Sequence, residues 1–391
     1  MGRNLREEAV PECLGLDVRF PPLDANRTRL ETLKIPSLDG IRAVAFLLVF
    51  LSHSAPGLQV PGRFGVTVFF FLSGFLITTL LRLELEDFGT INFRAFYLRR
   101  ALRIFPPFYL ALGVAILLER YGAPHVPYDP AALRALALHF GNYRAILHGF
   151  ASMPRGTDSY WSLAVEEHFY LIFPAIYLLS CRWLRSVNQQ ANLLLGLCAA
   201  VLVWRCVLVF AFDAPLVRTL TGTDTRIDSI LFGCVLAVRG NPALDAAGMS
   251  RRALLGAILP LGLLVLALCF ALGEVAAFRE TFRYSVQGLA LAPLFIAAVR
   301  YPDAWLFRPL NWKPVQHLGV LSYSLYLLHG IVLSALSTGQ FGLGPAMASV
   351  VGLLATLLAA EIVYRLIERP CARLRKRLLV RKAPADSAPQ T

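Results

Sequence analysis

The chain has 391 residues, of which 57% are hydrophobic and only 16% are charged. Soluble globular domains are about 45–50% apolar and about 25% charged, so the composition argues against a soluble enzyme and favours an integral-membrane protein. The formal net charge is +13, and the segment from Arg365 onward holds eight Lys/Arg against two Asp/Glu. A basic segment after a membrane helix indicates cytoplasmic orientation and contact with anionic lipids, not nucleic-acid binding. The seven cysteines are scattered without zinc-like spacing, so we expect no metal site.

Ten apolar stretches, separated by charges, Pro and Gly, predict membrane-spanning helices. Lys and Arg in the short connections place both termini in the cytoplasm. We therefore predict an all-α polytopic membrane bundle with a cytoplasmic tail over 1–34, a transmembrane domain over 35–370 and a basic cytoplasmic tail over 371–391. The predicted spans are about 38–54, 64–82, 100–119, 162–181, 191–212, 225–239, 253–272, 284–300, 317–337 and 344–366.

A moderately apolar piece from Ala131 to Phe150 is left out of this set. With both termini inside, the segment that contains it begins and ends on the outer side. We expect this piece to lie on the outer surface or to re-enter the bundle without crossing it.

The first predicted span carries the most informative polar residues. Ser37 suits a helix cap, and the negative charge of Asp39 suits the first turn. Arg42 and His53 are eleven residues apart, which puts them on one helix face, roughly 16 Å apart along the axis. Such groups in a membrane helix usually face a protein interior or a wet cavity. The alternative is that Arg42 snorkels to the interface and His53 marks the helix end.

The fourth span opens with Trp161 and then carries Glu166 and Glu167 in an otherwise apolar sequence. Adjacent helical residues point about 100° apart, so the two carboxylates should not face one pocket equally. One of them could orient a catalytic imidazole while the other stabilises the helix end. Alternatively, both lie near the outer headgroups and favour the helix N-terminus through its dipole.

Other polar groups interrupt the later spans. Arg226 and Asp228 open the sixth span, where they favour either a buried polar network or a structural ion pair with other helices. His329 lies well inside an apolar segment, so a surface histidine is a poor explanation for it. A dense set of cations stands at the entry to the third span: Arg99, Arg100 and Arg103.

In their order and spacing these motifs resemble acyltransferase family 3, a group of integral-membrane acyltransferases that act on extracytoplasmic glycans and on some lipids and small molecules. The resemblance runs from about Ile35 to Pro370. Some members carry an added extracytoplasmic domain, whereas this sequence ends soon after Pro370, so we expect it to act without one. The resemblance is carried by Leu38–Gly40, Arg42, His53, Phe69–Phe75, Arg99, Arg100, Arg103, Trp161–Glu167, Arg226 and Asp228.

The resemblance implies an acyl donor, most often acetyl-CoA, that is reached from the cytoplasm as a substrate, with no bound cofactor. Several arginines suit its phosphates, and a histidine suits deprotonation of an acceptor hydroxyl near neutral pH. We predict His53 as the base, Arg42 as a clamp on the donor, and Glu166 or Glu167 as the group that holds the imidazole. Substrate binding is assigned to Asp39, Arg99, Arg100, Arg103, Trp161, Arg226, Asp228 and His329.

The expected function is O-acyl transfer to a hydroxyl of a glycan, a lipid-linked sugar or a related small molecule, in a multi-pass protein of the bacterial inner membrane. Expected partners are acyl-CoA, that acceptor and membrane lipids. A covalent acyl-histidine is the less favoured chemical route. The alternative functions are a transporter or flippase for a lipid-linked sugar, with Arg42, Asp228 and His329 along its path, and a structural subunit.

Overall fold

The computed structural model describes residues 35–121, 128–246, 248–337 and 344–379. Of these residues 84% are helical and none is in a strand, which confirms the all-α prediction. The helices are α1 (Pro36–Ser54), α2 (Gly62–Phe88), α3 (Phe93–Tyr121), α4 (Pro130–Ala137), α5 (Gly141–His148), α6 (Trp161–Trp183), α7 (Val187–Phe210), α8 (Leu216–Thr221), α9 (Thr223–Val238), α10 (Arg251–Ala253), α11 (Leu259–Ala271), α12 (Ala276–Glu280), α13 (Arg283–Arg300), α14 (Lys313–Leu336), α15 (Pro345–Val363) and α16 (Arg369–Leu379).

Helices occupy all ten predicted spans, and eight of them in the described part are long and apolar enough to cross a membrane. The other two positions hold α9 and α13, with 16 and 18 residues. At 1.5 Å per residue, α9 reaches only about 24 Å, less than the roughly 30 Å hydrocarbon layer. Most of its side chains are buried among other helices. The total of ten spans and the cytoplasmic side of both termini stay predictions.

The domain limits also stay predictions. The predicted tail 1–34 lies outside the described residues, and the predicted tail 371–391 begins inside α16. This helix follows a π-helical turn over Tyr364–Glu368. Glu368 in that turn accepts a hydrogen bond from Ser324 of α14, which ties the end of the described chain to the bundle.

The predicted non-spanning segment forms two short helices, α4 and α5, of eight residues each. Each is about 12 Å long, too short to cross the hydrocarbon layer. Asp129 caps α4 by accepting from the Ala131 N–H at 2.7 Å, and it also pairs with Arg144 of α5. We call the end of the bundle at which these helices lie, and at which α1 finishes, the far end. The end at which α1 begins is the tail end.

Helices α1, α2, α9 and α14 pack closely at the centre. A Cβ atom added at Gly74 of α2 would lie 1.9 Å from the Ile230 carbonyl oxygen of α9. A Cβ added at Gly319 of α14 would lie 1.8 Å from the Asp39 carbonyl oxygen of α1. Only glycine permits such backbone contact, as is common between membrane helices. The candidate site lies between α1, α2 and α14 of this group and α3, α6, α12 and α13.

A fully buried ion pair joins α7, α9 and α13. Arg205 Nη2 lies 2.9 Å from Asp228 Oδ2, and both side chains are completely buried. Arg205 also donates to the carbonyl oxygens of Thr225 and Thr281, at 2.6 and 2.9 Å. Ser285 of α13 donates to Asp228 at 2.7 Å. Asp228 therefore forms an ion pair with another helix, the structural option that the sequence left open.

Candidate active site

Two cavities enter the bundle from opposite ends. The tail-end cavity has a volume of about 560 Å³ and lies between α1, α2, α3, α6 and α14. The far-end cavity has a volume of about 870 Å³ and lies between α1, α2, α12, α13 and the segment before α6. Val66 and Tyr326 line both cavities. The two cavities therefore share a wall at these two residues, which we call the partition.

Tyr326 of the partition is held by the turn that begins α6. Its hydroxyl donates to the Ser159 carbonyl oxygen at 3.1 Å and lies 2.7 Å from Ser162 Oγ. Ser159 lines the far-end cavity and Ser162 the tail-end cavity. No role was predicted for Tyr326 from the sequence, because a tyrosine in an apolar helix does not indicate the hydrogen-bond partner of its hydroxyl.

Cations line the tail-end cavity. Arg42, Arg100 and Arg103 stand on its wall, and Arg42 Nη1 is 2.8 Å from Asp39 Oδ1. The Arg100 guanidinium lies 5.5 Å from the centre of the Tyr170 ring, and its buried Nε has no hydrogen-bond partner. Two of the three predicted α3 arginines therefore face a cavity together with Arg42.

Arg99 is the third predicted α3 arginine, and it is placed differently. It does not line the tail-end cavity, and its Nη2 lies 2.7 Å from Glu84 Oε2 of α2. Because Glu84 is almost fully buried, this pair anchors the start of α3 to α2. The structure therefore separates Arg99 from the two arginines that a ligand in the cavity would meet.

Both predicted carboxylates, Glu166 and Glu167, lie on the wall of the tail-end cavity. The sequence predicted that neighbouring residues would not face one pocket equally; the structure shows that both of them line this cavity. Glu166 accepts hydrogen bonds from Ser73 at 2.9 Å and from the Tyr170 hydroxyl at 3.0 Å. The Glu166–Tyr170 contact follows the i, i+4 spacing of one helix face, which the sequence does show.

His53 lies on the wall of the far-end cavity, next to the buried His329. The two imidazoles meet at 3.2 Å, between His53 Nδ1 and His329 Nε2. The predicted contact between His53 and Glu166 or Glu167 is wrong, since both carboxylates line the other cavity. Arg42 and His53 share a helix, yet they lie on the walls of different cavities.

The hydrogen bonds of this pair select one arrangement of protons. His329 Nδ1 lies 2.7 Å from the Tyr326 carbonyl oxygen, which only accepts, so this nitrogen carries a proton. In a neutral His329 the Nε2 atom is then an acceptor, and His53 Nδ1–H donates to it. His53 Nε2 is left with a free lone pair, which is what a general base requires.

Arg226 is completely buried and lies among aromatic rings. Its guanidinium carbon is 3.6 Å from the centre of the Tyr284 ring and 5.8 Å from that of Trp161. Nη2 donates to Thr67 at 3.2 Å, whereas Nε and Nη1 have no hydrogen-bond partner. Trp161 lines the far-end cavity, but Arg226 and Asp228 line neither cavity.

Within the described ranges, no group of three or more His, Cys, Asp and Glu side chains could hold a metal ion.

Comparison with known proteins gives one family match and several relatives. A family model described as an acyltransferase domain matches residues 35–365. The chain is 29% identical to the peptidoglycan O-acetyltransferase OatA of Listeria monocytogenes, over 88% of this chain and 56% of that protein. It is 31% identical to the putative peptidoglycan O-acetyltransferase YrhL of Bacillus subtilis, over 86% of this chain and 54% of that protein.

A putative O-acetyltransferase of Staphylococcus aureus is 29% identical, over 86% of this chain and 57% of that protein. The chain thus spans about half the length of these curated relatives. No solved structure matches it. Because the family model covers most of the chain, and agrees with the motifs that the sequence carries, the chain belongs to acyltransferase family 3.

Proposed function

We propose that this protein is a membrane O-acyltransferase that takes an acyl group from a donor in the tail-end cavity and delivers it to a hydroxyl in the far-end cavity. The observation that carries the proposal is the meeting of the two cavities at Val66 and Tyr326. A donor and an acceptor held in opposite cavities would be separated there only by side chains. The transporter alternative has no support from the relatives, which are named as acetyltransferases.

The proposed donor is an acyl-CoA, with acetyl-CoA the first choice. CoA carries several phosphates, and Arg42, Arg100 and Arg103 line the tail-end cavity. Planar guanidinium groups bind phosphate through paired hydrogen bonds, and the free Nε of Arg100 offers one such donor. The pantetheine arm would then run along the cavity toward Tyr326, which brings the thioester to the partition.

The proposed acceptor is a glycan hydroxyl, with peptidoglycan the first choice. Two of the relatives are named as peptidoglycan O-acetyltransferases, one of them putatively. The far-end cavity, at about 870 Å³, is of a size that takes a small ligand or a sugar unit. If the tail end is cytoplasmic, as the distribution of Lys and Arg predicts, the far-end cavity opens toward an extracytoplasmic glycan.

The proposed chemistry is general-base catalysis by His53. Its Nε2 takes the proton of the acceptor hydroxyl, and the oxygen attacks the thioester carbonyl carbon to form a new C–O bond. The tetrahedral intermediate collapses with cleavage of the C–S bond, and the departing thiolate takes up the proton. His329 holds His53 in the tautomer that makes this possible. The less favoured route, through a covalent acyl-histidine, uses His53 Nε2 as a nucleophile instead of a base.

The test is an acyl-transfer assay on the full chain in detergent, with acetyl-CoA and soluble peptidoglycan fragments. His53→Gln should lower turnover by about 10²–10⁴, the usual contribution of a positioned base, while binding of CoA stays unchanged. His148→Gln, an exposed histidine at the same end, is the matched control. Full turnover in His53→Gln, or no acyl transfer by the wild-type protein to these fragments, would refute the proposal in this form.

A further inference from the structure

The far-end cavity has a cationic wall that the proposed chemistry does not use. Three arginines line it: Arg63 at the start of α2, Arg279 in α12 and Arg283 at the start of α13. Arg283 Nη2 donates to the Tyr284 hydroxyl at 2.8 Å, and its guanidinium carbon lies 4.8 Å from the centre of that ring. Arg63 lies within electrostatic reach of Tyr284 and of the other two arginines. Arg63 and Arg283, which are far apart in the chain, thus bring their charges together beside one tyrosine.

Two of these three arginines have no ion pair with a carboxylate among the described residues. Arg279 pairs with Glu280 at 3.2 Å, whereas Arg63 and Arg283 have no ion pair in the part of the chain that the structure describes. Asp158 and Glu274 also line the far-end cavity, without an ion pair to these arginines.

The same wall carries unused hydrogen-bond donors. The Nε atoms of Arg279 and Arg283 are buried and have no hydrogen-bond partner. Behind the wall, Arg226 stacks on Tyr284 and leaves Nε and Nη1 unpartnered, since Asp228 is held by Arg205. Buried cationic donors without acceptors are costly, so they indicate that an anionic acceptor group belongs there.

We propose that the far-end cavity binds an acceptor that carries an anionic group, a carboxylate or a phosphate, and that Arg63 and Arg283 hold this group while a hydroxyl faces His53. This inference rests on the proposed function in taking the far-end cavity as the acceptor site. A guanidinium matches either oxyanion with two parallel hydrogen bonds, which fixes orientation as well as position. The acyl donor does not supply this anion, because its arginines stand in the opposite cavity.

The anionic group has two sources, a carboxylated glycan and the phosphate of a lipid-linked acceptor. Binding to the full chain in nanodiscs of zwitterionic lipid distinguishes them, with no acyl donor present. The ligands are tetragalacturonate, its methyl ester and a hexose 1-phosphate. We expect at least one anionic ligand to bind at least about tenfold more tightly than the neutral ester. The more tightly bound ligand identifies the source.

Arg63→Gln should abolish that preference, and Arg63→Lys should retain part of it because the charge remains without the planar fork. Arg63 is exposed, so neither change disturbs the core. Arg134→Gln, an exposed arginine at the same end, is the control and should bind as the wild type does. Unchanged CoA binding at the tail end shows that each variant is folded.

Three results would overturn the inference: neither anionic ligand binding more tightly than the neutral ester, an equal loss in Arg134→Gln, or complete displacement of both anionic ligands by phosphatidylglycerol added to the nanodisc. The last would make the site one for a lipid headgroup. Because no donor and no turnover are involved, these outcomes are independent of whether acyl transfer itself is observed.

Discussion

His53 illustrates how much a single residue depends on its neighbour. Its position on the first helix and its face were predictable from spacing, but its partner was not. The sequence offered Glu166 and Glu167 as candidates, whereas the structure brings His329 to 3.2 Å. Such a contact depends on which helices pack together, and no local pattern in one sequence contains that information.

The role proposed for His329 is to position His53, and replacements of His329 can separate this role from a purely structural one. His329→Gln keeps a side-chain oxygen that accepts from His53 Nδ1–H, whereas His329→Leu keeps volume without an acceptor. We expect a larger loss of kcat in the leucine variant than in the glutamine variant, with KM for the donor unchanged in both. Steady-state kinetics on purified protein measures this, and equal kcat in the two variants would remove His329 from the mechanism.

At the scale of elements, hydropathy predicted the helices well, because apolar length is a local property. For the polar residues of α1 and α6, an interior position was one of two interpretations that the sequence left open. It did not predict which cavity each of them would reach. Glu166 and His53 were expected to be in contact, but they lie on the walls of different cavities. The ion pair of Arg205 was not predicted, because a single cation within an apolar stretch gives no signal of its partner.

Helix α3 offers a direct test of donor binding, since it carries cavity-facing and structural arginines side by side. The double change Arg100→Gln and Arg103→Gln removes two guanidinium groups from the tail-end cavity. Donor affinity should fall about tenfold or more, because charge-assisted hydrogen bonds to phosphate are lost. Arg99→Gln is the matched control, since that side chain pairs with Glu84 and does not line the cavity. Calorimetry with CoA measures the difference in affinity. An equal loss of affinity in the control would mean that these arginines only set the membrane topology and do not bind the donor.

Helix α9 depends on the buried Arg205–Asp228 pair for its place in the bundle. Arg205→Met leaves the Asp228 carboxylate buried without its cation, which should lower the free energy of unfolding by about 3–5 kcal/mol. The double variant Arg205→Met with Asp228→Leu removes both charges and should recover much of that loss. Thermal unfolding in detergent measures the series, with Arg251→Met, from an exposed pair with Asp303, as the control. A double variant as unstable as the single one would contradict a structural role for the pair.

The whole molecule presents arginines to two cavities that meet at the partition. This arrangement suits transfer of a group from one side of a membrane to the other without passage of the donor itself. The charge distribution of the sequence predicted the direction, with the tail end inside. The cavities themselves could not be predicted, because they depend on how helices that are distant in the sequence pack against one another.

Donor and acceptor are proposed to act from opposite sides of the membrane. The most direct test uses proteoliposomes with a single protein orientation, acetyl-CoA on one side and peptidoglycan fragments on the other. Acetylated fragments should form only with acetyl-CoA at the tail end and fragments at the far end. No product should form when both are supplied at the far end only. An equal amount of acetylated fragments with donor and acceptor on the same side would contradict transfer between opposite sides of the membrane.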